Sequence, residues 1–292
     1  MNSIDTLLRN PNLFIATTAL FGLVVGSFLN VVIYRLPRML ESTWRKECES
    51  FLGLGESKQE TQAFNLIAPR SRCPHCGHTI RAQENIPLIS YLLLRGQCAR
   101  CKARISPRYP LVEAVTALIS ALVAWKLGPT WEMALALPLS WSLICLSAID
   151  IERQLLPDVI TLPLLWLGLL LSLFNFFTDS TSSILGAIAG YLSLWLVYQL
   201  FRVATGKQGM GHGDFKLLGL FGAWLGWQML PLIVLLSSLV GAVVGILMIV
   251  LCKHDRTIPI PFGPYLAAAG WIAMLWGDEI NAQYLTLTGL GP

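Results

Sequence analysis

Apolar positions in this chain gather into long unbroken runs, not into one face of a helix or the alternate positions of a strand. The first run covers residues 12–34. At 1.5 Å per residue it is long enough to cross a hydrocarbon core of about 30 Å. Residues 35–109 are then polar, basic and rich in turn formers. Apolar runs resume near residues 111–127, 131–149, 159–177, 183–203, 215–230, 232–251 and 261–277. The pattern predicts an all-α polytopic membrane protein with about eight transmembrane helices and one sizeable loop domain between the first and second. The sixth run is the weakest, because Gly219, Gly222 and Gly226 interrupt it. Only Arg9 precedes the first run, and no small-x-small site follows it, so it reads as a retained anchor and not a cleaved signal. The chain thus divides into an anchor (1–34), a loop domain (35–109) and a multi-span membrane domain (110–292).

Composition agrees with this pattern. Of 292 residues, 54% are hydrophobic and 13% charged, against about 25% charged in soluble domains. The net charge of +4 hides an asymmetry, since 13 of the 21 Lys and Arg residues lie between Arg35 and Arg108. Basic loops stay on the cytoplasmic side. With the large loop inside, the connections Asp150–Asp158, Arg202–Asp214 and Lys253–Arg256 also fall inside, and each carries basic residues. The outer connections hold Lys126 but otherwise little positive charge, with Asp179, Asp278 and Glu279 among them.

The loop contains two C-x-x-C pairs, Cys73/Cys76 and Cys98/Cys101. Four cysteines in matched pairs suit a tetrahedral zinc site, which would organise a segment too short to build its own core. Metal-bound thiolates belong in a reducing compartment, so this argument also places the loop in the cytoplasm. His75 and His78 read as solvated knuckle residues. A redox dithiol is the alternative, but no thioredoxin-like βαβ pattern surrounds either pair. A nucleic-acid partner is disfavoured, because the loop has few aromatics for base stacking. Cys145 and Cys252 sit in apolar runs and read as buried small hydrophobes, while Cys48 has no evident partner.

Two acids stand at span ends on the side assigned to the cytoplasm. Asp150 ends the third span, and Asp214 opens the sixth after Gly209, Gly211 and Gly213. If they converge they can share a proton, one acting as base on a water and the other as acid toward a leaving amine. On composition alone, Asp214 could equally cap its helix and Asp150 could pair with Arg153. Asp158, after Pro157, is well placed as a helix N-cap. A proton-coupled transporter would use acids near the middle of its spans, which these are not.

Six segments together resemble one family. They are Gly26-Ser27-Phe28-Leu29-Asn30 through Arg35-Leu36-Pro37, the paired C-x-x-C loop, and Leu94-Arg95-Gly96-Gln97-Cys98. Then come Ser106-Pro107-Arg108-Tyr109-Pro110-Leu111-Val112-Glu113, the stretch from Asp150 to Leu156-Pro157-Asp158, and Gly211-His212-Gly213-Asp214. In this order they resemble the bacterial type IV prepilin peptidases, bifunctional enzymes of type IV pilus and type II secretion systems. The resemblance implies an inner-membrane aspartic endopeptidase unrelated in fold to pepsin, with Asp150 and Asp214 as its catalytic pair. It implies as substrates type IV prepilins and pseudopilins, cleaved after a glycine to release a short basic leader. It further implies N-methylation of the new N-terminal residue, usually phenylalanine, with S-adenosylmethionine as donor. The basic loop is a hallmark of the bifunctional members, and Gly96 resembles a glycine linked to methyl transfer. A cationic leader should be repelled by that loop, so Glu113, Glu152 or Glu84 are expected to help receive it. No glycine-rich strand-to-helix loop of the Rossmann kind is present to hold the donor.

Overall fold

The computed structural model describes residues 10–53, 64–207, 209–251 and 260–288. Eight long helices follow the eight apolar runs: α1 (Pro11–Phe51), α2 (Arg108–Leu127), α3 (Trp131–Arg153), α4 (Asp158–Ser172), α5 (Ser180–Thr205), α6 (His212–Leu225), α7 (Leu230–Leu251) and α8 (Gly263–Leu287). Among the described residues the only β-pairing is two isolated bridges, Arg72–Thr79 and Gln97–Arg104. The basic connection Lys253–Arg256 and Cys252 lie outside the described residues. The chain divides into two compact units, Met1–Pro129 and Thr130–Pro292.

Local chemistry explains the helix starts. Asn10 caps α1, its side chain accepting from Leu13 N–H, and Pro11 occupies the first turn, where its missing donor costs nothing. Thr130 caps α3 and Asp179 caps α5 in the same way. Among the described residues, five helical segments are long and apolar enough to cross a membrane, namely α1, α2, α3, α5 and Trp227–Met248. Side chains such as Leu20, Phe21, Val24 and Phe28 on α1, and Ile184, Ile188 and Leu192 on α5, stand exposed. In water they would form extended apolar patches, and lipid is the solvent that suits them. The molecule is a membrane protein.

In the first unit α1 continues past the end of its apolar run, through Pro37, to Phe51. Its 41 residues span about 60 Å, twice the hydrocarbon core. Gly22 and Gly26 let α2 approach closely: a Cβ at Gly22 would lie 2.5 Å from Ser120 Oγ, and one at Gly26 2.8 Å from Glu113 Cα. This four-residue glycine spacing is a common device for packing helices in lipid. Arg35, buried on α1, donates to the Asn65 and Pro69 carbonyls and so ties the loop to the helix.

In the second unit α6 lies at the centre. Phe215, Leu217, Leu218, Leu220, Phe221 and Ala223 are fully buried. The glycines that interrupt the sixth apolar run have a packing role. A Cβ at Gly222 would overlap the Gly186 carbonyl of α5, so only glycine permits that crossing. With 14 residues α6 is about 21 Å long, too short for the hydrocarbon core, and it stops at Gly226, whose φ of 80° favours glycine. Trp224 donates its indole N–H to the Leu164 carbonyl of α4 at 2.8 Å, and Ser183 of α5 donates to the Ala223 carbonyl.

Candidate active site and metal centre

In the second unit Asp150 sits in the last turn of α3 and Asp214 in the first turn of α6, and both side chains are buried. Asp150 Oδ2 accepts the backbone N–H of Gly263 at 3.1 Å. That N–H belongs to the first turn of α8, where helix donors lack internal partners and the dipole favours negative charge. Gly263 must be glycine, because a Cβ there would lie 2.6 Å from Asp150 Oδ2. Leu156, just after α3, joins the two sides of the site. A Cβ at Gly213 would lie 2.7 Å from Leu156 Cβ, and one at Gly263 would lie 3.2 Å from Leu156 Cδ1. The starts of α6 and α8 therefore meet at one side chain, and the two carboxylates are close enough to feel each other's charge. Asp214 Oδ1 is buried with no hydrogen-bond partner among the described residues. A buried carboxylate oxygen left unpaired is costly, which marks it as an atom meant for a ligand or water.

Asp158 does not cap α4. The cap position is Pro157, and Asp158, the first residue of the helix, holds Lys216 Nζ of α6 with both oxygens at 2.7 Å. This pair ties α4 to α6 two residues from Asp214. Its carboxylate is engaged structurally, by a cation that the capping argument did not consider.

In the first unit the four cysteines come together. Their sulfurs all lie within 4.8 Å of one another, with Cys73–Cys101 at 3.7 Å and Cys76–Cys98 at 4.0 Å. Four ligands about 2.3 Å from a central zinc ion would stand about 3.8 Å apart. The two C-x-x-C turns are built alike. Cys73 N–H donates to His78 O and Gly77 N–H to Cys73 O; Cys98 N–H donates to Ala103 O and Lys102 N–H to Cys98 O. Each turn closes with a left-handed residue, Gly77 (φ 67°) or Lys102 (φ 59°). The N–H groups of Cys76 and His75 hold the Cys73 thiol down at about 6, and those of Cys101 and Arg100 lower Cys98. Cys101, although the Ala103 N–H favours its thiolate, is pushed up to about 11 by lost hydration and by the neighbouring sulfurs. Four such sulfurs crowd one another, a cation at their centre would favour the thiolate form of each, and the set could hold a metal ion.

The expected acidic receivers in this unit have partners of their own. Glu84 accepts from Arg81 N–H and pairs with His78 at 3.0 Å, and these contacts lower its carboxyl below the ordinary value. Glu113, buried on α2, accepts the Leu88 N–H at 2.8 Å. Gly96 has a φ of 67°, and a Cβ there would lie 3.0 Å from the Tyr91 ring, so any other residue would strain the turn and displace Tyr91.

Leu156 lies inside one of the six family-like segments but has no role legible from the sequence, and Gly263 lies outside them all. The one available signal for Gly263 was its place before Pro264 at the start of the last apolar run, a helix-opening pattern.

Two family models match the chain: the bacterial peptidase A24 N-terminal domain over residues 20–127, and the type IV leader peptidase family over residues 137–246. Among curated relatives, a prepilin leader peptidase/N-methyltransferase of Pseudomonas aeruginosa is 56% identical over 290 residues, covering 99% of each chain. Proteins of the same name are 55% identical in Aeromonas hydrophila, over 94% of this chain and 95% of the relative, and 44% identical in Legionella pneumophila, over 97% and 98%. No solved structure matches. With about half its residues shared along nearly the whole length of such relatives, and a domain model matching each half, the chain belongs to the type IV leader peptidase family, among the prepilin leader peptidase/N-methyltransferases.

Proposed function

We propose that this enzyme removes the short basic leader from type IV prepilins and pseudopilins with Asp150 and Asp214 as its catalytic pair, and then methylates the exposed N-terminal amine. The observation that carries the first half is the buried carboxylate pair, one member anchored by the Gly263 N–H and the other with an oxygen free of partners. The two carboxylates divide one proton. One takes a proton from water as the water oxygen bonds to the scissile carbonyl carbon. The other gives its proton to the amine nitrogen as the C–N bond breaks. Asp214 Oδ1 is the oxygen available to hold the water, while Gly263 fixes the orientation of Asp150.

The charge asymmetry of the loops supports a cytoplasmic face for both aspartates and for the cysteine loop, in the bacterial inner membrane. A prepilin presents an apolar helix in the bilayer with its basic leader on that side. Its scissile bond then lies at the membrane surface, level with the span-end acids. The cysteine cluster takes zinc as a structural ion, because its sulfur spacing suits a tetrahedral site and the loop has little core of its own. S-Adenosylmethionine, when bound, supplies the methyl group; the amine gives up one proton, and S-adenosylhomocysteine leaves. We assign cleavage to the C-terminal unit and methylation to the N-terminal unit with its loop (35–109).

The deciding experiment incubates purified enzyme with a prepilin peptide and follows leader loss and methyl gain by mass spectrometry. Asp150→Asn and Asp214→Asn should each lower cleavage by about 10²–10⁴-fold or more while the protein remains inserted. Near-normal cleavage by either variant would refute the pair.

A further inference from the structure

Four glycines surround the carboxylate pair, and three of them answer to packing. A Cβ would lie 2.7 Å from the Phe201 ring at Gly209, 2.7 Å from Leu156 Cβ at Gly213 and 2.6 Å from Asp150 Oδ2 at Gly263. Gly211 differs. Its φ of −77° and ψ of 145° are open to any residue. It is exposed, and among the described residues beyond its chain neighbours a Cβ there would meet only Asp214 Oδ2, at 3.5 Å. That is ordinary van der Waals contact. The side chains on either side are engaged elsewhere. Met210 packs against the core around α6, and the His212 ring rests on Tyr198 and Phe215, with centroids at 5.3 and 5.5 Å.

Gly211 is also the cap residue of α6, and it offers no side chain to take an orphan N–H of the first turn. Asn10, Thr130 and Asp179 do so for α1, α3 and α5. A serine or asparagine would cap α6 better, and any other residue would leave the unfolded chain less freedom. Neither conformation, packing nor capping therefore calls for glycine here. What the missing side chain leaves clear is the approach to Asp214 Oδ2.

That approach matters because the pair is recessed, each aspartate being 6% exposed. A scissile carbonyl carbon reaches a water held by such a pair only if its own main chain comes close, and a Cβ on either side of the contact would hold it off. The substrates expected above carry a glycine just before the cleaved bond. We infer that Gly211 is a specificity-determining residue for cleavage, where the bare main chain of the enzyme meets the bare main chain of the substrate glycine. Gly222 and Gly186 make a crossing of this kind inside the unit. A side chain on either partner displaces the carbonyl from the acids, so Gly211 sets the demand for glycine in the substrate. The inference rests on the peptidase reading above.

The test uses the full-length enzyme in detergent and two prepilin peptides, one with glycine and one with alanine before the cleaved bond. Enzyme is kept in excess, so that slow cleavage is still measured. Gly211→Ser adds a capping side chain, and Gly211→Ala adds a methyl group alone. The serine variant should melt no lower than the wild type. Both variants should cleave the glycine peptide with kcat/KM lowered by at least about tenfold, since a misplacement of ~1 Å can cost about 10²-fold. A lower melting temperature for the serine variant, or a smaller loss of cleavage in either, overturns the proposal. Selectivity supplies a readout that a merely structural role would not move, because groups in contact couple. The preference for the glycine peptide over the alanine peptide should fall by at least about fivefold in Gly211→Ala, since a main chain already held off gains less from a bare substrate. An unchanged preference places the substrate glycine elsewhere and overturns the contact. Failure of the wild-type enzyme to cleave the glycine peptide would sink the peptidase reading itself. Cleavage by the wild type, with both variants unimpaired, would sink only the role of Gly211.

Discussion

Three aspartates stand at helix starts in the C-terminal unit, and their partners separate their roles. Asp179 accepts the Ser182 N–H and closes the first turn of α5. Asp158 holds Lys216 with both oxygens. Of the three, Asp214 alone keeps a buried oxygen without a partner among the described residues. Sequence position makes the three look alike, because each precedes or opens an apolar helix; what faces each carboxylate is a long-range matter. The contrast is testable. The Asp158–Lys216 pair is partly exposed, 50% and 28%, so Asp158→Asn should cost no more than about 1 kcal/mol of stability and less than a tenfold loss of cleavage. A loss comparable to that of Asp214→Asn in the same peptide assay would place Asp158 in the reaction. Glu84 makes a pH prediction. Its carboxyl is held below the ordinary 4.5 by Arg81 N–H and then by His78, so its contribution to loop stability is complete above 4.5. That contribution fades as pH falls through the lower folded value. Glu84→Gln should remove this part of the acid sensitivity, read by melting the loop from pH 6 to pH 3.

Helix contacts in both units depend on glycine where backbones nearly touch. The glycines at 219, 222 and 226 weakened the expected sixth span when judged by apolarity alone. In the fold Gly222 meets Gly186 of α5, and this contact lets α6 lie at the centre of its unit. The same holds for Gly22 and Gly26 beneath α2. The spacing was visible in the chain, but whether a glycine loosens a helix or admits a neighbour depends on a partner distant in sequence. Gly186→Leu should force α5 and α6 apart at a cost of about 1–3 kcal/mol or more, because overpacking cannot relax against backbone. Thermal melting in detergent should show the loss. Cleavage should fall with it, since α6 carries Asp214; a variant with an unchanged melting temperature would refute the tight crossing.

At the scale of the whole molecule, the two compact units have different means of support. The C-terminal unit has a conventional buried core around α6. The loop of the N-terminal unit has two isolated bridges, the Arg35 clamp and the cysteine cluster. Metal removal should therefore act selectively. One zinc per chain should be released by chelation or by Cys98→Ser, with new protease sensitivity between residues 64 and 107, while the melting of the C-terminal helices is retained. A metal-free protein with an equally resistant loop would contradict a structural ion.

The amino-acid sequence by itself determined the local features of this protein: eight apolar runs, the basic loop, the paired cysteines and the motifs that mark its family. Run length and residue spacing act over a few turns of chain, and there the sequence is explicit. Only the tertiary structure decided that Gly263 meets Asp150 across 113 residues, that Leu156 joins two helix starts, and that α1 extends to Phe51. These depend on which surfaces fit together, and an apolar run marks a helix for lipid or core without naming what packs against it.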